Sequence, residues 1–218
     1  MSRIVLIHGF ATGIGYSIFR PAYGADAGFS AFRPDIESGQ AKAFRWDIKE
    51  SASFFQSINP FYTWNVYRRE KKIANDPDTY RKLHAFLMAE EPELIVCHSM
   101  GCFLFLAYLA HEKLPTSVRR IIFNQADVPS IGVTLSTEIE ERIRKGALSI
   151  TNTFCFWDTT LWFSAVIHGS IKAGLVGWEH PLIQNSLFSL LKPMNLHTAA
   201  IRSFRFRRLV ADERPALV

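Results

Sequence analysis

The sequence predicts a single α/β domain, a mainly parallel sheet of about six strands with helices on both faces. Three observations lead there. Short apolar runs alternate with longer stretches of helical periodicity, the pattern of βαβ units and parallel crossovers. The runs show little polar/apolar alternation, as expected of strands buried on both faces. The chain has 218 residues, for which size scaling allows burial of about 70% of the unfolded surface in one core. No repeat, low-complexity tract or Gly/Ser or Pro linker divides it, so one domain over residues 1–218 is expected.

The strand candidates, in order, are Arg3–Ile7, Lys42–Trp46, Glu93–Cys97, Arg119–Phe123, Asn152–Trp157 and Ser186–Leu191. The helix candidates are Asp78–Ala89, Gly101–Glu112, Thr137–Ala147, Leu161–Ala173 and Thr198–Leu209. Composition narrows the class further. Apolar residues make up 48%, charged residues 21% and aromatic residues 13%, which excludes disordered, collagen-like and coiled-coil chains. The most membrane-like stretch, Phe154 to Trp178, is interrupted by Asp158, His168 and Lys172 and by glycines, so no stable membrane insertion is expected.

Lys and Arg exceed Asp and Glu by 25 to 20. The one dense basic cluster, Arg202, Arg205, Arg207 and Arg208, alternates with Ile201, Phe204 and Leu209 and reads as the solvated face of a last amphipathic helix, not a nucleic-acid site. Cys97, Cys102 and Cys155 lie within apolar runs, an odd set suggesting buried thiols in a reducing compartment. A strand-like run follows Met1-Ser2-Arg3 directly, so no secretory signal and a cytoplasmic location are expected.

In a parallel sheet, ligands gather at the carboxyl ends of the strands. His8, Gly9, Asp47, His98, Ser99, Asp127, Asp158 and His197 pass that filter, whereas His180 precedes the last strand and fails it. The most informative stretch is Leu94-Ile95-Val96-Cys97-His98-Ser99-Met100-Gly101-Cys102. An apolar strand running into His-Ser-Met-Gly and then a helix of small residues places a serine on a tight turn, its hydroxyl above the sheet. The usual pattern is G-x-S-x-G; here Cys97 replaces the first glycine and Gly101 is kept. A serine hydroxyl needs a general base held by a third group to become a nucleophile. His197, between the last strand and the last helix, suits the base. Asp158, after the fifth run, suits the acid, with Asp127 its competitor; Asp47 is expected to cap the next segment. His8 reads as a structural residue of its turn. Gly9 lets backbone approach closely, so that the N–H groups of Phe10 and Met100 form an anion hole.

Together, Val5-Leu6-Ile7-His8-Gly9-Phe10, His98-Ser99-Met100-Gly101, Asp158 and His197, in the order Ser, Asp, His, resemble the α/β-hydrolase superfamily of serine hydrolases. Counted in that family's manner, the run before Asp158 is the seventh strand, which favours Asp158 over Asp127. The family's first two strands have no counterpart, and the short stretch between its strands six and seven leaves no room for a large cap. The resemblance implies a compact carboxylesterase-like hydrolase acting on a small-molecule acyl substrate, with no metal or organic cofactor. Lactone or amide hydrolysis, a cofactor-free lyase, and a non-catalytic binding module on the same fold are the alternatives. The aromatic group Phe54, Phe55, Phe61, Tyr62 and Trp64 is the candidate lining of an apolar or aromatic substrate pocket, with Phe61 and Trp64 foremost.

Overall fold

A computed structural model describes residues 3–9, 29–46, 60–188, 197, 201 and 204–211, the side chains of 60–63 and 204–205 excepted. Phe10, Asp47, Phe54 and Phe55, together with the side chains of Phe61 and Tyr62, lie outside the described residues. Among the described residues the order is β1 (Ile4–Ile7), a 3-10 turn (Ser30–Phe32), α1 (Arg33–Glu37), β2 (Ala41–Phe44), α2 (Pro60–Ala74), α3 (Pro77–Glu90), β3 (Leu94–His98) and α4 (Met100–His111). There follow β4 (Arg120–Asn124), α5 (Thr137–Arg144), β5 (Ser149–Phe154), α6 (Thr159–His168), α7 (Ala173–Val176), β6 (Gln184–Leu187) and α8 (Phe204–Ala211). The six strands form one all-parallel sheet in the order β2-β1-β3-β4-β5-β6, the α/β architecture that the sequence predicts. None of the described helices is long and apolar enough to cross a membrane.

Successive strand residues point to opposite faces, and both faces are buried. Val5, Ile7, Ile95, Cys97, Ile121 and Phe123 meet Leu83 and Leu87 of α3 and Leu104, Phe105 and Tyr108 of α4. Their neighbours Leu6, Val96 and Ile122 pack on the other face against Phe29, Phe32, Ile201 and Phe206. Leu6, Val96 and Ile95 are fully excluded from solvent, and such side chains contribute about 1.5 to 3 kcal/mol each on burial. Much of the aromatic content, Phe29, Phe32, Phe105, Phe123, Phe188 and Phe206, is spent in these two cores.

Local signals set the helix ends. The Asp76 carboxylate accepts the Asp78 N–H at 3.1 Å and Pro77 opens α3, while the Ser136 hydroxyl caps α5 through Ile139 N–H. Three expectations are corrected. The fifth strand occupies Ser149–Phe154 instead of Asn152–Trp157, and Phe156 and Trp157 stand outside it, exposed. The helix expected over Leu161–Ala173 stops at His168, where Gly169 takes the left-handed conformation at φ 61°, and α7 is a separate turn. The sixth strand begins at Gln184 and is mostly solvent-exposed, as a polar sheet edge. Cys97, Cys102 and Cys155 are buried and form no disulfide.

Candidate functional site

Because the strands are in register, their carboxyl ends leave the sheet at one level: Ile7 pairs with Cys97, Cys97 with Phe123 and Phe123 with Asn152. The chain turns one way from β1 to β2 and the other way to β3, so the crevice between β1 and β3 is the topological switch point, where ligands bind in open α/β sheets. Gly9 and Ser99 face each other across it.

Ser99 has φ 53° and ψ −121°, a strained conformation for a residue with a Cβ. Its amide donates to the Asn124 carbonyl at 3.0 Å, and its own carbonyl accepts from Cys102 at 3.0 Å and from Asp127 at 3.2 Å. The turn is thus held from β4 and from α4. Two glycines make room for it. A Cβ on Gly9 would lie 2.7 Å from the Ser99 Cβ and 3.3 Å from its Oγ, and a Cβ on Gly101 would fall onto the Ile7 and His8 carbonyl oxygens. At the position where the G-x-S-x-G pattern has its first glycine, Cys97 turns its thiol into the core, fully buried. Burial raises its pKa well above the ordinary thiol value.

The structure brings Ser99, His197 and Asp158 together. His197 Nδ1 lies 2.7 Å from Asp158 Oδ2, and Nε2 lies 2.8 Å from Ser99 Oγ. A carboxylate only accepts, so Nδ1 carries the proton, and Nε2 is left to accept from the serine hydroxyl. Burial pushes the imidazole pKa down, but the Asp158 charge and hydrogen bond, with a further contribution from Asp127, outweigh it and hold His197 above its ordinary 6.5.

Asp158 is fully buried and does not directly follow a strand. It stands four residues past β5 as the N-cap of α6, its Oδ1 accepting from Thr160 and Leu161 N–H, both at 3.1 Å. One oxygen orders the helix while the other faces His197. The competitor Asp127 points elsewhere: its carboxylate accepts from Ser164 Oγ at 2.7 Å and Tyr67 Oη at 2.9 Å, and pairs with Lys172 Nζ at 3.4 Å.

Two neighbours carry roles that their sequence context did not single out. Gln125, at φ 47°, donates from Nε2 to Asp158 Oδ2 at 2.6 Å and so fixes the acid from the end of β4. The His98 ring packs against that of His197, centroids 4.8 Å apart. It accepts from Asn124 Nδ2 at 2.9 Å, and the Asn124 amide is oriented by Thr153 Oγ1, which donates to Oδ1 at 2.7 Å. The sequence filter held the signal for His98, a polar residue at a strand's carboxyl end, but gave it only a turn role. His8 is a structural residue, as expected: its ring stacks on Trp46 at 5.4 Å and its carbonyl accepts from the Trp46 indole at 3.1 Å. His180 lies away from Ser99, 3.7 Å from Glu140.

Met100 opens α4, so its N–H has no carbonyl acceptor within the helix. The second expected donor, Phe10, falls outside the described residues. Trp64 and Tyr67 on α2 and His168 on α6 form a ring cluster with centroids 5.2 to 6.1 Å apart. A carboxylate, an imidazole and a hydroxyl in hydrogen-bonded series form an assembly able to withdraw a proton from the hydroxyl. Comparison with known protein-family models and with curated protein sequences finds no match.

Proposed function

We propose that the protein is a serine hydrolase of the α/β-hydrolase type that cleaves a carboxylic ester or related acyl bond. The observation that carries this reading is the continuous chain Asp158–His197–Ser99, closed by contacts of 2.7 and 2.8 Å at the switch point of the sheet. Four supports stand beside it: the strained Ser99, the glycine clearance over its hydroxyl, the position of the Met100 N–H at the start of a helix and the Ser-Asp-His order along the chain.

His197 takes the Ser99 proton as Oγ attacks the carbonyl carbon. Asp158 holds the Nδ1 proton and stabilises the imidazolium, while Gln125 keeps that carboxylate from turning. The tetrahedral oxyanion meets the Met100 N–H, with Phe10 N–H the second donor expected from the sequence; each donor of this kind is worth about 3 kcal/mol of transition-state stabilisation. His197 then protonates the leaving alcohol. Water, deprotonated by the same imidazole, releases the acid from the acyl-serine.

The test is turnover of short-chain p-nitrophenyl esters together with covalent labelling by a fluorophosphonate. Labelling of one site, mapped to Ser99, is expected. Absence of both labelling and turnover overturns the reading in favour of a binding module.

Two further results are expected. The kcat/KM profile rises with pH, because only neutral imidazole accepts a proton, and its midpoint lies above 6.5 since His197 is held there by Asp158. A midpoint below 6.5 contradicts the assignment. Gly9→Ala places a methyl 2.7 Å from the Ser99 Cβ. Displacing the nucleophile by a fraction of an ångström should lower kcat by about 100-fold, measured by steady-state kinetics alongside a thermal melt showing that the fold persists.

A further inference from the structure

A groove of about 820 Å³ runs between α2 and the walls given by Phe103 of α4 and His168 of α6. Its floor is one helical face of α2: Trp64, Tyr67, Arg68, Lys71 and Lys72 recur at the i, i+3, i+4 spacing of a single stripe. That stripe is flat and aromatic at one end and cationic at the other. Lys71 is half-buried, its ammonium 5.3 Å from the centre of the Phe103 ring, and no ion pair joins Arg68, Lys71 or Lys72 to an acid among the described residues. Asp76, the one acid lining the groove among the described residues, caps α3 through Oδ1.

A second cation lies behind the first. Lys172, 3% exposed, is paired with Asp127, whose carboxylate also accepts from Tyr67 and Ser164. Asp127 is therefore engaged by Lys172 and two hydroxyls, and Lys71 forms no ion pair of its own among the described residues. Desolvation lowers the Lys71 pKa, and repulsion from Lys172 lowers it further against a smaller opposing pull from Asp127. His168, which bonds the Ser164 carbonyl at 2.8 Å, is likewise held below its ordinary value, first by burial and then by Lys71 and Lys172. A bound anion offsets the cationic repulsion on both Lys71 and His168. The groove is also tied to the nucleophile, because Tyr67 donates to Asp127 and the Asp127 amide donates to the Ser99 carbonyl at 3.2 Å.

We propose that this groove is a binding pocket for a carboxylate or phosphate carried on a flat apolar group, with the anion on Lys71 and Arg68 and the apolar body against Trp64 and Tyr67. In its substrate aspect it rests on the hydrolase reading: the ligand is the charged end of an ester whose other end reaches Ser99. The aromatic pocket expected at Trp64 is thereby given a charge preference that its apolar residues alone did not suggest.

The experiment separates binding from turnover. Benzoate, phenyl phosphate and neutral benzamide are titrated calorimetrically into Ser99→Ala protein. The anions are expected to bind at least tenfold more tightly than benzamide, to weaken with added salt, and to lose about tenfold in affinity, or about 1.4 kcal/mol, in Lys71→Met. Benzoate and phenyl phosphate decide between carboxylate and phosphate as the preferred head group. Arg68→Met, at an exposed position, gives the same comparison if Lys71→Met does not fold. As a second readout, benzoate raises the His168 pKa seen by NMR, since the groups facing that ring are Tyr67 and Lys71 from α2, Asp127 after β4 and Lys172 after α6. Equal binding of benzamide, unchanged affinity in the variants, or an unmoved His168 overturns the proposal. With Ser99 intact, Lys71→Met should raise KM for a dicarboxylate monoester by a larger factor than KM for a neutral ester. Anion binding without any ester turnover upholds the pocket while the hydrolase reading falls.

Discussion

Ser99→Ala is expected to reduce ester kcat by about 10⁵-fold and to abolish fluorophosphonate labelling, with KM changed little. Under the proposed mechanism the size follows from the loss of the attacking atom, since in serine hydrolases the anion hole and substrate binding alone leave about 10³ to 10⁴ over water. Stability should not fall with activity. The Ser99 side chain bonds only to His197 among the described residues, and its φ of 53° is strained for serine and alanine alike. A melting temperature within a few degrees of wild type, beside inactive protein, is the expected pair of results. Labelling that persists in the variant removes Ser99 as the nucleophile.

Asp158→Asn is expected to cost about 10⁴-fold in kcat. An amide in this place offers an N–H where Oδ2 accepts from both His197 and Gln125, at 2.7 and 2.6 Å. Turned the other way, it offers that N–H to the amides of Thr160 and Leu161, which are donors themselves. Either orientation sets donor against donor, so the substitution damages the imidazole tautomer or the cap of α6. A stability loss of about 1 to 2 kcal/mol, typical of a lost cap, should accompany the kinetic effect. The midpoint of the kcat/KM profile should also fall, because the Asp158 charge is what holds His197 up against burial. Asp127→Asn provides the contrast. It leaves Lys172 buried opposite an amide, which in comparable buried pairs costs on the order of 3 kcal/mol, while kcat should fall far less than in Asp158→Asn. Denaturant melts and kinetics on the two variants together decide the acid.

The sequence reading succeeded where hydropathy and backbone geometry carry the same message. Leu94–Cys97 is continuously apolar and fully buried, and it ends in a polar His-Ser followed by small residues, so strand, turn and helix are all legible. The reading slipped at β5 for a physical reason. That strand begins with Ser149 and contains Asn152 and Thr153, both fully buried. They are tolerated because Asn152 donates to the Ala173 carbonyl at 3.0 Å and Thr153 to Asn124 at 2.7 Å. The reading Asn152–Trp157 missed the mixed start Ser149-Ile150-Thr151 and ran on through the apolar Cys155-Phe156-Trp157, where the side chains of Phe156 and Trp157 stand 46% and 66% exposed. Gln125 escaped notice because its role depends on an acid 33 residues away. The aromatics before and at the start of α2 read equally as pocket lining or as ordinary helix packing, and the helix Pro60–Ala74 itself is not among the helix candidates. Asp158 is expected beside His197 on the reading that it directly follows a strand; it stands four residues past β5, and its second task as a helix cap becomes visible only with the backbone of α6.

The parallel sheet has a consequence for how the protein acquires its site. Ser99 and His197 are 98 positions apart in sequence, and Asp158 and His197 are 39 apart. None of these contacts is local, and every one spans a crossover whose loop entropy must be overcome before the contact forms. Partly folded forms that have β1, β3 and the central helices in place still lack the base. Recovery of activity after dilution from denaturant should therefore trail recovery of secondary structure, with the imidazole arriving last, from the carboxyl-terminal end of the chain.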